Sequence, residues 1–441
     1  MNIKDDSRKI NKGDIFVALK KEHDGHDYVL DAIKAGASEV VVEHGLYSVK
    51  TTVVNNTHEY LVNYLKENYY DEIKDLKLIG MTGTNGKTTT CFLIYQALNN
   101  LNIKTAYIGT IGFYIDSKVC DLPNTTPDIC DIYEMLLECK KQNCKYVVME
   151  TSSHALDMDR LKGLSFDVGI FSNLTKDHMD YHKTFENYAL AKQKLFKMVK
   201  YLSIVNSDSE YKDYFISSNT TTYGINSGDY KVSDYKITMG GNEFVVNDVL
   251  YKSKLIGKHN IYNTLIVIVL LEYLGFNSDV IKEVISNLSA PRGRMEMIKK
   301  DNNLIIIDYA HTPDAVFNII NSCIELKPNN IITIVGCGGN RDKAKRPIMA
   351  NIACSLSNHV IMTSDNPRDE DAMQIIDDMI QGLDKTNYEI EVNREKAIIK
   401  GIQKLKNNDI LLVLGKGHET YQIINGKKND FDDKLIVLNN I

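Results

Sequence analysis

Long apolar stretches are missing from this chain. The longest purely apolar run, 265–271, falls far short of the roughly 20 residues that a helical membrane span requires. The first residues, Met1-Asn2-Ile3-Lys4-Asp5-Asp6, hold no signal-peptide core, so a cytoplasmic protein away from membranes is expected. Paired cysteines are also absent: eight are scattered with no C-x-x-C spacing, which leaves no zinc knuckle and, at a reducing cytosolic poise, no disulfide framework. Nor is there excess positive charge. With 52 Lys+Arg against 58 Asp+Glu the net charge is -6, and nucleic acid is not expected as a partner. No internal repeat or low-complexity linker stands out. What is there is globular, 43% hydrophobic and 25% charged, and 441 residues suggest two to four domains.

Pattern changes divide the chain into three zones. Residues 1 to about 75 carry strand-like runs at 14–19 and 39–43, a helical stretch before the second, and a closing polar segment rich in Tyr and Glu. From 77 to about 290 strand and helix alternate, which predicts a mostly parallel sheet. Its first helix places Cys91, Ile94, Tyr95 and Leu98 at i, i+3, i+4, i+7. The third zone starts near Pro291 and has apolar strands at 304–307, 331–335, 360–363 and 410–414. The expectation is an α/β protein of three domains, 1–76, 77–290 and 291–441: a small N-terminal domain, a central P-loop domain and a C-terminal Rossmann-like domain.

A polar loop follows each third-zone strand: Asp308-Tyr309-Ala310-His311, Gly336-Cys337-Gly338-Gly339-Asn340-Arg341-Asp342, Ser364-Asp365-Asn366-Pro367-Arg368 and Gly415-Lys416-Gly417-His418-Glu419. In open parallel sheets ligands bind at the carboxyl ends of strands, so these loops describe one site. In the second zone, Gly83-Thr84-Asn85-Gly86-Lys87-Thr88-Thr89 sits between a predicted strand and helix, as a phosphate-binding loop must. Its backbone N–H groups suit phosphates, Lys87 supplies a point charge and the Thr88 hydroxyl a Mg²⁺ ligand, with ATP the expected nucleotide. Met81 stands where the general phosphate-loop pattern has its first glycine. The predicted strand 146–149 ends in Glu150, which places a carboxylate at the sheet edge where a second Mg²⁺ contact is needed. Ser152, Ser153 and His154 lack the G-x-S-x-G elbow of a serine nucleophile, and Met179 between His178 and His182 excludes a zinc-protease pair. Histidines of this kind are more often hydrogen-bonded structural residues than ligands.

Taken together, Gly83 to Thr89, Met149-Glu150-Thr151-Ser152-Ser153-His154, Asn173-Leu174-Thr175 with Asp177-His178, and Tyr188-Ala189-Leu190-Ala191-Lys192 resemble the Mur ligases of peptidoglycan synthesis. The third-zone loops resemble the branch that adds the third residue of the stem peptide. The resemblance runs from Asp6 to about Asp433. It implies ATP-dependent amide formation through an acyl phosphate, with UDP-N-acetylmuramoyl-L-alanyl-D-glutamate as acceptor and a monomeric protein. It also implies roles by position. Lys87 and Thr88 hold ATP and Mg²⁺, Glu150 and His178 are metal ligands, and Lys192 is the lysine that becomes a carbamate. Asn263 contacts adenine and Arg294 lies in the interdomain segment near the nucleotide. Ser7 contacts uridine, while Thr125, Thr126, Ser152 and Arg160 hold the muramoyl dipeptide.

The amino acid can be argued from charge. Diaminopimelate carries a second carboxylate and ammonium at its far end, which call for a guanidinium fork and an acid. Arg341 and Arg368 provide the first and Glu419 the second, in a pocket shared with Asp365, Asn366, Pro367 and Gly415. L-Lysine would leave a buried guanidinium unpaired. The expectation is therefore meso-diaminopimelate. Lys20, Met158 and Asn340 depart from the family pattern, where Gly, Gln and Asp are usual, and the segment before Asp6 is short. A relative acting on another amino acid or a modified acceptor stays open beside the main reading. So does a P-loop NTPase switch, marked by ATP hydrolysis without any amino acid; a catalytically silent binding protein is disfavoured by the full set of ATP-site residues.

Overall fold

The computed structural model describes residues 1–20, 23–175 and 177–441. Lys176, inside the motif that carries His178, lies outside them. The chain forms two compact units, 1–231 and 232–441.

The first unit opens with a four-stranded parallel sheet, Ile3–Lys4, Ile15–Val17, Glu39–Val42 and Lys50–Val53, in chain order. Side chains alternate across it, as a period of two requires. Phe16, Val40 and Val42 pack with Val29 and Ala32 of the helix Val29–Ala35, while Val17 and Val41 face Leu61 and Leu65. Those last two belong to the helix Thr57–Ile73, the Tyr- and Glu-rich segment. Asn56 caps it by accepting the Glu59 N–H at 2.9 Å.

A larger sheet follows in the same unit. Its parallel strands run in the order Thr220–Gly224, Val199–Asn206, Phe166–Phe171, Lys77–Thr82, Tyr146–Glu150 and Thr105–Gly109. Gly112–Ile115 and Ser117–Cys120 extend it as an antiparallel ribbon. This ribbon breaks the strand-then-helix alternation because a two-residue turn at Thr110 and Ile111 leaves no length for a crossover. The helix Lys87–Asn100 buries Cys91, Ile94, Tyr95 and Leu98, and also Leu93 and Ala97. Periodicity alone found one face of a helix that is apolar on most of its circumference.

The second unit holds an antiparallel meander through Gly241–Val246 and Val249–Ser253, the helices Lys258–Tyr273 and Ser278–Asn287, and a six-stranded sheet. That sheet runs Glu296–Lys300, Asn303–Asp308, Ile410–Leu414, Ile331–Val335, His359–Met362 and Tyr388–Ile390, parallel except for the first hairpin. Its inner strands are the apolar runs of the sequence. The outer strands, polar in composition, had no such signal. Among the described residues no helix is long and apolar enough to cross a membrane.

Arg394 and Asp433, both wholly buried, tie the terminal helix Asp433–Leu438 to this sheet. The guanidinium forks onto the carboxylate at 2.8 and 2.6 Å and reaches the Leu414 carbonyl at 2.9 Å. Removing one partner strands a buried charge, so Asp433→Ala should cost about 3–5 kcal/mol in denaturant unfolding. The paired change Arg394→Met with Asp433→Leu should recover most of that loss. Equal destabilisation by the single and paired variants would refute the assignment.

Candidate active site

In the first unit the strand Lys77–Thr82 runs into the glycine loop, and Gly86, at φ 88°, opens the helix Lys87–Asn100. The loop is braced by its parallel neighbour. Thr84 N–H donates to the Asn173 carbonyl at 2.9 Å, Asn85 N–H to Asn173 Oδ1 at 2.9 Å, and Ser172 Oγ to the Asn85 carbonyl at 2.7 Å. Lys87 Nζ donates to the Gly83 and Thr84 carbonyls at 2.8 and 3.0 Å. Thr89 follows on the first helical turn.

Glu150, at the end of the adjacent strand, is fully buried. Its carboxylate accepts from the Tyr107 hydroxyl, Thr110 N–H (2.9 Å), Thr110 Oγ1 (3.2 Å) and Thr88 Oγ1 (3.0 Å). Gly109 makes room for it: a Cβ there would lie 2.3 Å from Oε1. Tyr107 and Thr110 carry no motif, and only the strand pairing reveals them.

Lys192, on the helix Phe185–Gln193, is 1% exposed, donates to the Gly83 carbonyl at 2.8 Å and stacks over the Tyr188 ring at 4.5 Å. Burial and the nearby Lys87 charge push its pKa well below the usual lysine value, against a smaller opposing pull from Asp177. The amine is therefore held toward its neutral form. His178 has a left-handed backbone (φ 54°), lies half-exposed beside Asp177 with Nε2 3.3 Å from Oδ2, and meets the His154 ring edge-on at 4.7 Å. Burial lowers its pKa. His182 is buried against Ser153 Oγ at 2.9 Å, with its pKa pushed down to about 4 by burial. Glu150 and Thr88 are thus in direct contact, whereas His178 and Lys192 make no hydrogen bond to either. Among the described residues no cluster of three His, Cys, Asp or Glu forms a preset metal cage.

From Glu150 a polar chain leads outward. Thr126 Oγ1 donates to the Glu150 carbonyl (2.8 Å) and accepts from Ser152 N–H (2.9 Å), while Thr125 Oγ1 meets Thr110 Oγ1 at 3.1 Å. Arg160 donates to the Thr126 carbonyl at 3.1 Å and pairs with Asp128 at 3.0 Å. Arg160 lines a cavity of about 880 Å³ with Asp5, Lys20, His154, Met158 and Tyr181. Ser7 begins a short 3-10 turn capped by Asp6 and is not among that cavity's walls. The tetrapeptide Asn11-Lys12-Gly13-Asp14 has the spacing of a guanine-binding motif. The buried Asp14 carboxylate instead accepts the Asn11 N–H at 2.9 Å and closes a turn before the strand Ile15–Val17.

In the second unit the four polar loops leave neighbouring strands at one sheet edge. Asn366 is their hub: its Nδ2 donates to Glu419 at 2.8 Å, and its Oδ1 accepts from Lys416 Nζ at 3.1 Å and Ile423 N–H at 2.9 Å. Lys416, wholly buried, also pairs with Glu419 at 3.0 Å. It lies in the loop Gly415-Lys416-Gly417-His418-Glu419, yet only its burial marks it as a brace. Asp365 is buried with its carboxylate against Gly415, where a Cβ would lie 2.4 Å away. Arg368 follows Pro367 and donates to the Gly339 carbonyl at 2.7 Å, while Arg341 is exposed. Arg294 lies over the Tyr309 ring at 4.8 Å, and the buried Asn263 donates to Asn260 Oδ1 at 2.9 Å.

Residues 81–271 match the family model of the Mur ligase middle domain, and 293–417 match the Mur ligase, glutamate ligase domain. A UDP-N-acetylmuramoyl-L-alanyl-D-glutamate–2,6-diaminopimelate ligase of Clostridium perfringens is 42% identical over 99% of this chain and 94% of its own length. The protein of that name from Cytophaga hutchinsonii is 41% identical over 98% and 92%. A solved structure of a UDP-N-acetylmuramoyl-L-alanyl-D-glutamate–2,6-diaminopimelate ligase superposes with a TM-score of 0.72 at 33% identity, covering 100% of this chain and 94% of that one. On sequence, fold and motif the chain belongs to the Mur ligase family.

Proposed function

We propose that the chain is an ATP-dependent ligase that joins meso-diaminopimelate to UDP-N-acetylmuramoyl-L-alanyl-D-glutamate, in the cytoplasmic synthesis of peptidoglycan precursors. The observation that carries this reading is the phosphate loop, its Thr88 hydroxyl on the buried Glu150 and its Gly83 carbonyl on the buried Lys192, whose pKa burial and Lys87 push down. The proposed division of labour is 1–76 for the UDP end, 77–290 for ATP and 291–441 for the amino acid.

In the reaction the terminal phosphoryl group of ATP passes to a carboxylate oxygen of the acceptor. The amine nitrogen attacks the resulting acyl carbon, phosphate leaves and nitrogen loses a proton, giving the amide. Groups that only position and neutralise suffice for such chemistry. Gly83, Thr84, Asn85, Gly86 and Thr89 offer the loop and first helical turn to ATP phosphates, with Lys87 as their charge. Asn263 and Arg294 are read as contacts of adenine and the nearby interdomain segment. The Glu150 and Thr88 oxygens, 3.0 Å apart, are hard donors that fit Mg²⁺. When bound, that ion would neutralise phosphate charge. His178 and Lys192 complete the proposed set, the latter as a carbamate. A neutral amine can attack CO₂ and release a proton, leaving an anion where a cation stood. Thr125, Thr126, Ser152, Arg160 and Ser7 are assigned to the UDP-dipeptide. Asp365, Asn366, Pro367, Gly415 and Glu419, with Arg341 and Arg368, are assigned to the amino acid.

Phosphate release with the UDP-dipeptide and a panel of amino acids tests the reading. Release should require both substrates, and L-lysine should fall roughly ten- to a hundredfold below meso-diaminopimelate in kcat/KM, the price of an unpaired guanidinium. Equal turnover with L-lysine would sink the specificity, and release without any amino acid would favour an NTPase. Incubation with ¹³C-bicarbonate should give a carbamate carbon resonance that is lost in Lys192→Met; an unchanged spectrum would remove the carbamate.

A further inference from the structure

The amino-acid loops of the second unit rest on an ion cluster around one buried arginine that none of the assignments above uses. Arg346, on the helix Lys345–Leu356, is completely buried. Its guanidinium forks onto Glu370, Nη1 to Oε2 at 3.0 Å and Nη2 to Oε1 at 2.9 Å. It also donates to Asp378 Oδ2 at 2.7 Å on the helix Ala372–Ile380. Glu370 stands two residues after Arg368. Its Oε1 accepts the backbone N–H of Asn340, the residue before Arg341. One carboxylate therefore ties the loop that presents Arg341 to the loop that presents Arg368.

Further contacts run alongside. Gly339 N–H donates to the Asn366 carbonyl at 2.9 Å, and Asn340 Nδ2 to Asp369 Oδ2 at 2.8 Å. The loops approach so closely that a Cβ on Gly339 would fall 1.9 Å from the Pro367 carbonyl oxygen. Asn340 and Arg368 both adopt left-handed backbone, at φ 53° and 54°. Asparagine visits that region readily, whereas an arginine keeps it only where its surroundings hold it. The Arg346 hydrogen bonds, then the Asn340 N–H, hold the Glu370 carboxyl at a pKa of about 2, so the clasp stays charged at any working pH.

We infer that Glu370 is a positioning residue for amino-acid selection, its carboxylate setting the spacing and angle at which Arg341 and Arg368 meet the far carboxylate of the incoming diamino acid. This rests on the proposed function, in which those arginines face that substrate. Bidentate recognition tolerates little misalignment, and a shift of about 1 Å in a positioned group can cost on the order of a hundredfold. Asp378 is the internal control. It shares Arg346 with Glu370 but touches neither loop.

The test compares Glu370→Gln, Glu370→Ala and Asp378→Asn in the full chain by steady-state kinetics, thermal melting and amide hydrogen exchange. Both Glu370 variants should raise KM for meso-diaminopimelate, by up to on the order of a hundredfold. They should narrow its preference over L-lysine and leave kcat at saturation and the KM for ATP and for the UDP-dipeptide unchanged. Exchange should quicken in 336–341 and 365–370. Asp378→Asn should lower the melting temperature yet leave every KM in place. If all three variants merely lose melting temperature, Glu370 is part of a structural ion pair and the inference is overturned. A wild-type enzyme that releases no phosphate with any amino acid would instead defeat the proposed function, and hydrogen exchange would still decide whether the clasp holds the loops.

Discussion

The first unit depends on a carboxylate placed where no water can solvate it. Burying an ionised group is costly unless every lone pair finds a donor. Glu150 finds them on three elements: Tyr107 and Thr110 from the neighbouring strand and its turn, and Thr88 from the first turn of the phosphate-loop helix. That requirement explains several sequence choices together. Gly109 must lack a side chain, Thr88 must carry a hydroxyl, and the parallel order must set the strand Tyr146–Glu150 between Lys77–Thr82 and Thr105–Gly109. A parallel sheet is what brings the carboxyl ends of all three to one edge.

The second unit applies the same constraint with the sign reversed. Three of its buried charges are cations, Lys416, Arg346 and Arg394, each matched to a carboxylate. None is a stability device of the ordinary surface kind, since a buried pair is costly to assemble and more costly to break. Each lies beneath a loop at the carboxyl edge. Arg394 reaches the carbonyl before Gly415, Lys416 joins Asn366 to Glu419, and Arg346 reaches Glu370 behind Arg368. Such packing leaves Arg341 exposed and Arg368 half-buried.

Much of this is legible in the sequence. The inner strands of the six-stranded sheet were apolar runs, and the glycine loop, Glu150 and the four third-zone loops stood out by residue type at strand ends. Polar edge strands such as Glu296–Lys300 and Tyr388–Ile390 were not, because pairing rather than composition makes them strands. The antiparallel meander was hidden for the same reason. Side-chain partners were hidden too: Tyr107 belongs to no motif, and the value of Glu370 lies in a contact thirty residues away in sequence, with Asn340. The Asn11 to Asp14 tetrapeptide gives the opposite lesson, a matching spacing whose aspartate is spent on its own turn.

The central claim is that this chain activates a carboxylate by phosphorylating it before an amine attacks. The most direct measurement supplies the UDP-dipeptide labelled with oxygen-18 in its free glutamate carboxylates, together with ATP and meso-diaminopimelate, and weighs the phosphate released. Activation requires one carboxylate oxygen to leave on phosphorus, so the phosphate should carry a single oxygen-18. Phosphate holding only solvent and ATP oxygen would contradict the account and point to ATP hydrolysis uncoupled from the acceptor.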